Sequence, residues 1–263
     1  MIKTILHFDS IDGIQNYDTI LKKYHCYNTT IKINNPLKNI KEISLKSIEM
    51  PLFFNNIRSS NNSNLFTFNF SSGIYNNVSI GCTIPESNYI TIASLVTAIN
   101  NSISTVLSSY NLSLVLYYND YNISIQHSFS SLTLNKCILI NNILGFDTGT
   151  YTSTITTTNL YCLNIDHYIT MYVTNLSGAD TTNVNGRLLS FKIILPQTNS
   201  NILFLGESNT FNQTISITDP KFVLSSMNIM ILDRWGYPIN GGNAHYSFTL
   251  GVNFDNNKEL NYR

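Results

Sequence analysis

The pattern that most constrains this chain is a succession of short apolar or alternating segments, each closed by Asn, Ser, Gly or Pro residues. Alternation with a period of two places side chains on opposite faces of a strand, and the closing residues favour turns. Such segments cover residues 29–33, 40–48, 65–70, 78–84, 112–117, 122–127, 131–134, 165–174, 188–195, 202–205, 211–217, 222–232 and 245–252. They predict a mainly β protein, an antiparallel β-sandwich, which is the class that includes jelly rolls.

One segment has the period of a helix instead. Its apolar residues recur at offsets of 0, 3, 4, 7, 11, 14 and 15, which is one face of an α-helix; they are Ile92, Leu95, Val96, Ile99, Ile103, Val106 and Leu107. The spacing predicts an amphipathic helix over about 91–108 that packs on a sheet.

Three further segments have local signals. Asn34-Asn-Pro36 is expected to break the first strand, because proline cannot donate to a ladder. Residues 137–145 are expected to form a short helical turn. Residues 148–158, rich in Thr, Ser and Gly, are expected to form a surface loop or exposed strand, and they are the best candidate for a linker.

The charged fraction is unusually low. Charged residues make up 11% of the 263 residues, against about 25% in typical soluble domains, and 38 asparagines stand in their place. AT-rich codon usage explains most of this excess, and a surface that packs against neighbours is a second explanation, because neutral amides are cheaper to bury than ions. The formal net charge is zero and Lys38, Lys41 and Lys46 read as a solvated face, so nucleic acid is not an expected partner.

The four cysteines are far apart and show no metal-ligand spacing. Cys26, Cys82, Cys137 and Cys162 are therefore expected to be reduced, mostly buried thiols, and no metal or cofactor is expected. No signal peptide and no membrane-spanning segment is expected either, because no apolar run is long enough.

No catalytic motif is evident, and no catalytic residue is predicted. The nearest candidates are the pairs Asp166-His167 and His25-Cys26. Neighbours on a strand point to opposite faces, so neither pair is expected to share a proton. His7, His127 and His245 lie in separate segments, and no spacing brings them together.

The single tryptophan, Trp235, offers one candidate for carbohydrate stacking. It lies in Asp233-Arg-Trp-Gly-Tyr-Pro238, where a strand runs into a turn. A tryptophan at such a place more often fills a corner of the fold than stacks on a ligand.

Several blocks, taken in order, carry a family resemblance. They are Phe8-Asp-Ser10, Tyr27–Pro51, Ile84–Ile90, the helix with Leu95 and Ile99-Asn100, Ile143–Phe146, Asp233–Pro238 and Tyr246–Leu250. This order resembles the penton and minor capsid proteins of nucleocytoplasmic large DNA viruses and their virophages. The resemblance implies a single jelly roll, often with an inserted or appended subdomain. It also implies a homopentamer at the five-fold vertices, in contact with the major capsid protein and other minor capsid proteins.

The expected organisation has three parts. Residues 1–27 form an N-terminal arm that orders on assembly, because Ile5, Leu6, Phe8 and Ile11 would otherwise be exposed. Residues 28–254 form a jelly-roll-type β domain with a helix-containing insertion around 85–147, and a small additional β subdomain is an alternative. Residues 255–263 form a C-terminal tail.

The favoured function is therefore that of a structural virion protein, a penton that closes the five-fold vertices of an icosahedral capsid assembled in the host cytoplasm. An alternative is a minor capsid, fibre or attachment module that binds host glycans. A third hypothesis, a hydrolase on a β scaffold, would need convergent carboxylates or histidines, and the sequence shows no ordered set.

Overall fold

A computed structural model describes residues 3–51, 55–163, 166–174, 176, 182–184, 187–189, 191–195, 202–206 and 214–255. The chain forms two compact units. The jelly-roll unit comprises residues 1–54 and 166–263, and the inserted unit comprises residues 55–165.

The described residues form one α-helix and nineteen strands. The helix α1 spans Ile92–Leu107. The strands β1 to β19 span, in order, Lys3–Asp9, Ile14–Asp18, Lys23–Lys38, Ile40–Pro51, Leu65–Ser72, Tyr75–Thr83, Leu114–Tyr118, Ile123–His127, Ser131–Leu134, Gly149–Tyr151, Ile155–Thr156, Tyr168–Val173, Thr182–Val184, Arg187–Leu189, Phe191–Ile194, Ile202–Leu205, Thr214–Ser216, Val223–Leu232 and Ser247–Phe254.

Two antiparallel sheets build the jelly-roll unit. Sheet A has the order β1-β19-β4-β16, with β17 beside β16 on the same edge of β4, and sheet B has the order β15-β12-β18-β3-β2. If β16 and β17 count as one strand, and β2 and the separate β13–β14 ribbon are set aside, the remaining eight strands pair first with eighth, second with seventh, third with sixth and fourth with fifth. This nested pairing is the jelly-roll arrangement, so the predicted fold class is confirmed.

The core of this unit lies between the two sheets. Alternate residues of every long strand point inward, as the pattern of β19 shows: Phe248, Leu250 and Val252 are buried and the residues between them are not. Phe248 stacks on Phe8 at 5.1 Å between ring centroids. Tyr27 and Tyr246 meet edge to face at 5.8 Å. The inner faces are thus mainly apolar and aromatic.

The inserted unit has its own core. Sheets β10-β9-β5-β6 and β11-β8-β7 contribute to it, and α1 packs on β7 and β6 through the predicted apolar stripe. Thr91 caps the helix, since its Oγ1 accepts a hydrogen bond from Ser94 N at 3.2 Å. Asn100 fixes the helix to β7, because its Nδ2 donates to Leu116 O at 2.9 Å and its Oδ1 accepts from Leu116 N at 2.8 Å. The helix predicted over 91–108 is confirmed.

The structure differs from the organisation expected at the N-terminus. Within residues 1–27, β1 pairs with β19 along its whole length, β2 pairs with β3, and β3 already begins at Lys23. Leu6 and Phe8 pack on the core, whereas Ile5 and Ile11 remain exposed. The segment is the first strand of the jelly roll plus an edge hairpin, rather than a separate arm.

The limits of the insertion also differ. The inserted unit runs from Asn55 to Ile165, wider than the expected 85–147, because β5 and β6 before the helix belong to it. The expected linker at 148–158 contains β10 and β11, both paired within this unit. Of the expected tail, Asp255 donates its N–H to Asn39 O at 2.9 Å, and residues 256–263 lie outside the described part.

Two local features, at Pro36 and at residues 137–145, differ in detail from the predictions. Pro36 does not end its strand: β3 continues to Lys38, and the pairing with β18 skips between Leu224 and Ser226, so the proline sits in a bulge. The helical turn expected at 137–145 is present as a π-helical turn, Ile138–Ile143.

Candidate functional site: the outer faces of the jelly-roll unit

The structure keeps the pair Asp166-His167 apart. Asp166 is buried and His167 is exposed, as expected for neighbours on an extended segment. The side chains therefore occupy different environments and do not form an acid–base pair.

The pair His25-Cys26 also diverges, but each residue finds another partner. His25 Nε2 lies 3.5 Å from Asp18 Oδ2, and His25 Nδ1 accepts a hydrogen bond from Gly241 N at 3.5 Å. Burial lowers the pKa of His25, an effect that the Asp18 carboxylate opposes and Lys23 reinforces. His25 is thus neutral at neutral pH and serves as a buried polar tie.

Cys26 lies in a cluster that the sequence did not reveal. Its Sγ is 3.8 Å from His245 Nε2, and His245 Nδ1 is 3.2 Å from Ser10 Oγ. His245 is more than 200 positions from both Cys26 and Ser10 in the chain. Burial raises the pKa of the Cys26 thiol, while a hydrogen bond from Gln15 lowers it. A fully buried, protonated thiol is a poor nucleophile, so this cluster reads as structural.

The remaining histidines and thiols do not converge. His7 Nδ1 lies 2.9 Å from Thr249 Oγ1 at the surface, and His127 stacks on Phe129 in the inserted unit. Cys26 and Cys82 are buried thiols, Cys137 and Cys162 are half-buried, and burial raises the pKa of Cys82 to about 11. In the part of the chain that the structure describes, no group of His, Cys, Asp and Glu side chains could hold a metal ion.

Trp235 occupies the turn predicted for it. Asp233 Oδ1 accepts hydrogen bonds from Trp235 N at 2.9 Å and Tyr237 N at 2.8 Å, which fixes the turn after β18. The Arg234 guanidinium lies 5.1 Å from the centroid of the indole ring. A half-buried ring in such a contact suits a corner residue better than an open sugar platform.

One cleft opens at an edge of the jelly-roll sandwich. It is lined by β4, β15 and β16, with Lys46 and Lys192 beside Leu45, Ile48, Ile193 and Leu205, and its volume is about 20 Å³. Ligand sites usually enclose roughly 300–1,000 Å³, so this cleft is too small for a ligand pocket.

The outward side of sheet A, here called face A, is built from small polar residues with apolar edges. Thr249 and Gly251 of β19 and Ser44 and Ser47 of β4 lie at its centre. Exposed apolar side chains border it on both edge strands; they are Ile5 on β1 and Ile202 and Phe204 on β16. Phe204 is 66% exposed although it alternates with the buried Leu203.

The charges of face A are mostly carboxylates. Glu42 accepts a hydrogen bond from Asn253 Nδ2 at 2.8 Å, and Glu49 is exposed opposite Phe204. Lys46, at an irregularity of β4, crosses above Gly251, since a Cβ there would meet Lys46 Cε at 2.7 Å. The glycine leaves room for this lysine, and the face stays flat.

The outward side of sheet B, here called face B, has a network of amides. Asn16 Nδ2 lies within 3.2 Å of three acceptors, namely Asn28 Oδ1, Thr30 Oγ1 and Asn228 Oδ1. These side chains tie together β2, β3 and β18. The network satisfies polar groups without introducing charge.

Face B also has apolar edges and a different charge from face A. Ile14 on β2 and Ile194 on β15 are 60% and 46% exposed. Lys192 Nζ lies 4.2 Å from the centroid of the Tyr168 ring, and Lys32 is exposed. Among the described outward residues of sheet B there is no carboxylate.

The strand patterns could have indicated which residues point outward, but not which strands are neighbours. Every outward residue alternates with a predicted core residue. The pairing of β1 with β19, however, joins the two ends of the chain, and nothing in the local sequence states it. The amino-acid sequence alone therefore did not identify face A and face B.

Comparisons with known proteins show a likeness in structure. No family model matches the chain, and no curated protein matches it. Among solved structures, the chain is similar to the selenomethionine-labelled penton protein of mavirus, with 10% identity, a TM-score of 0.47, and coverage of 97% of this chain and 100% of that one. Within the described residues, no helix has the length and apolar character needed to cross a membrane.

Proposed function

We propose that the chain is a structural capsid protein whose jelly-roll units associate side by side, face A of one copy against face B of the next. The observation that carries this proposal is the difference between the two faces. A surface that pairs with its own copy must be self-complementary, whereas two unlike faces on one subunit generate a heterologous contact, which forms a ring when the rotation from copy to copy closes.

The composition of the faces supports this contact. Each has neutral polar residues at its centre and exposed apolar residues at its edges, such as Phe204 on face A and Ile194 on face B. Protein interfaces are depleted in charged residues at the core and use neutral hydrogen bonds. Glu42 and Glu49 on one face and Lys32 and Lys192 on the other add opposite charges, which favour unlike faces over like ones.

The finer role that we propose is that of a penton, a homopentamer that closes five-fold vertices in contact with major and other minor capsid proteins of the virion. The jelly roll is a common architecture of viral capsid proteins. The number five comes from the resemblance of the sequence blocks to penton proteins. We assign no catalytic, cofactor or metal residue.

Solution mass tests the ring directly. Light scattering after gel filtration should give about 150 kDa, five times the 29.7 kDa chain. The protein should also be present in purified virus particles. A chain that stays monomeric at high concentration and is absent from particles would contradict the proposal.

A second candidate function, glycan attachment by the inserted unit, has one observation in its favour. Tyr117, Tyr118 and Tyr121 on the β7–β8 hairpin are 49%, 49% and 69% exposed, and exposed aromatic rings can stack on sugars. Binding of the protein to a glycan array, and its loss in Tyr121→Ala with retention in the equally exposed Leu160→Ala, would support this role.

A further inference from the structure

We infer that the β2–β3 hairpin of the jelly-roll unit docks on the surface of an anionic phospholipid membrane. The hairpin joins Asp18 to Lys23 through the four-residue loop 19–22. This inference goes beyond the capsid role, and neither depends on the other.

The hairpin presents apolar and aromatic side chains at its tip. Ile20 is 42% exposed, and Tyr17 and Tyr24 are 50% and 64% exposed. The two tyrosines are cross-strand partners and contact each other edge to face at 5.3 Å. An aliphatic tip above a pair of tyrosines is the order found at membrane–water interfaces, where the rings sit at headgroup depth.

The exposed charge of the hairpin is positive. Lys22 and Lys23 are both exposed beside Ile20. The one carboxylate of the hairpin, Asp18, is 3% exposed and turned inward. The neighbouring loop, residues 240–244, is Asn-Gly-Gly-Asn-Ala and contributes no charge.

Asp18 holds the tip in shape. Its Oδ1 accepts hydrogen bonds from Ile20 N at 2.8 Å and Leu21 N at 2.9 Å, and its Oδ2 lies 3.5 Å from His25 Nε2. The loop is thus ordered before any ligand arrives, which reduces the entropy lost on binding.

Lys22 has φ +53°, a conformation that Gly and Asn adopt more readily. The turn therefore does not require a lysine at this position.

The lysines distinguish a lipid surface from a protein partner. Protein interfaces are depleted in lysine, whereas a lysine beside an apolar tip can extend its stem along the acyl boundary and place its ammonium among lipid phosphates. Each basic residue near an anionic membrane surface strengthens binding by roughly fivefold. We therefore commit to anionic phospholipid as the occupant.

Vesicle sedimentation of the full chain tests the inference. The protein should sediment with vesicles of phosphatidylcholine and phosphatidylserine and remain in solution with phosphatidylcholine alone. Lys22→Asn with Lys23→Thr should weaken binding roughly 20- to 30-fold, since two basic residues are removed; Asn also suits the φ of position 22. The matched control, Lys136→Asn with Lys221→Thr, removes two exposed lysines elsewhere and should bind as the parent does.

Insertion has a separate readout. In a Trp235→Phe background, Ile20→Trp should show a blue-shifted emission and quenching by lipid-borne quenchers, whereas the 82% exposed Ile90→Trp should not. Three results would overturn the inference: no sedimentation with anionic vesicles, equal binding by the hairpin and control variants, or an unshifted Ile20→Trp. A hairpin that binds no vesicle and is protected only within protein assemblies would instead be a protein contact, which also overturns it.

Discussion

Sheets A and B of the jelly-roll unit share one core but present different surfaces. Their inner faces are alike, with Phe248 of sheet A and Ile229 of sheet B both buried. Their outer faces differ: face A carries Glu42 and Glu49 together with Lys46, and the described part of face B carries lysines and an amide network without carboxylates. The inner faces thus serve folding, which needs only matched apolar surface, and the outer faces can serve recognition, which needs a difference.

The largest expected effect comes from breaking what the two sheets share. Phe248→Ala should lower the free energy of unfolding by about 3–5 kcal/mol, because Phe248 is 2% exposed and stacks on Phe8. Its neighbour Thr249 points outward, so Thr249→Ala should cost less than about 0.5 kcal/mol. Denaturant titration of both variants checks this; similar losses would mean that the inner and outer sides are misassigned.

The second prediction tests the difference in charge between face A and face B. Lys32→Glu with Lys192→Glu would place carboxylates on both faces, and like charges across a contact are strongly unfavourable. We expect the dissociation constant of the ring to rise by at least roughly tenfold, measured by light scattering over a dilution series.

Two matched variants accompany this test. Adding Glu42→Lys with Glu49→Lys to the Lys32→Glu, Lys192→Glu variant should recover part of the association. Lys136→Glu in the inserted unit should leave it unchanged. If the Lys32→Glu, Lys192→Glu variant associates like the parent protein, face A does not contact face B.

The smallest expected effect is a pH dependence of stability that comes from the buried His25 of sheet B. The folded-state pKa of His25 on β3 is lowered by burial, so below its ordinary pKa of about 6.5 the unfolded chain binds more protons than the folded chain. The stability that neutral His25 contributes is therefore present above about pH 6.5 and lost as the pH falls below it.

Denaturation midpoints on either side of this pH check the effect. His25→Gln should flatten the pH dependence, because it removes the buried imidazole. An unchanged slope in His25→Gln would contradict the assignment.

Much of the fold could be predicted from the sequence because its signals are local. The alternation in Ser131–Leu134 and Ile202–Leu205 gave strands with these bounds, and the 3.6-residue stripe gave α1 within one residue at each end. The proline expectation failed because Pro36 sits in a bulge of β3, a feature of strand pairing rather than of the residue itself.

The prediction of an N-terminal arm missed the strand pairing of these residues for a similar reason. Residues 3–9 look weakly structured alone, and only the partner strand 247–254, at the other end of the chain, gives them a place in sheet A. The Cys26–His245–Ser10 cluster was missed because Ser10 meets His245 beside that same pairing, and Cys26 meets it through a hydrogen bond from Cys26 N to Gly242 O at 3.1 Å.

The sequence by itself therefore determined most of the longer strands, the helix α1, the buried side of each and the scarcity of charge, because all of these follow from neighbours along the chain. Only the tertiary structure decided the nested strand order, the two unlike faces and the exposed tip of the β2–β3 hairpin. Those depend on which distant strands pair, and a period-two pattern is the same whatever its partner is.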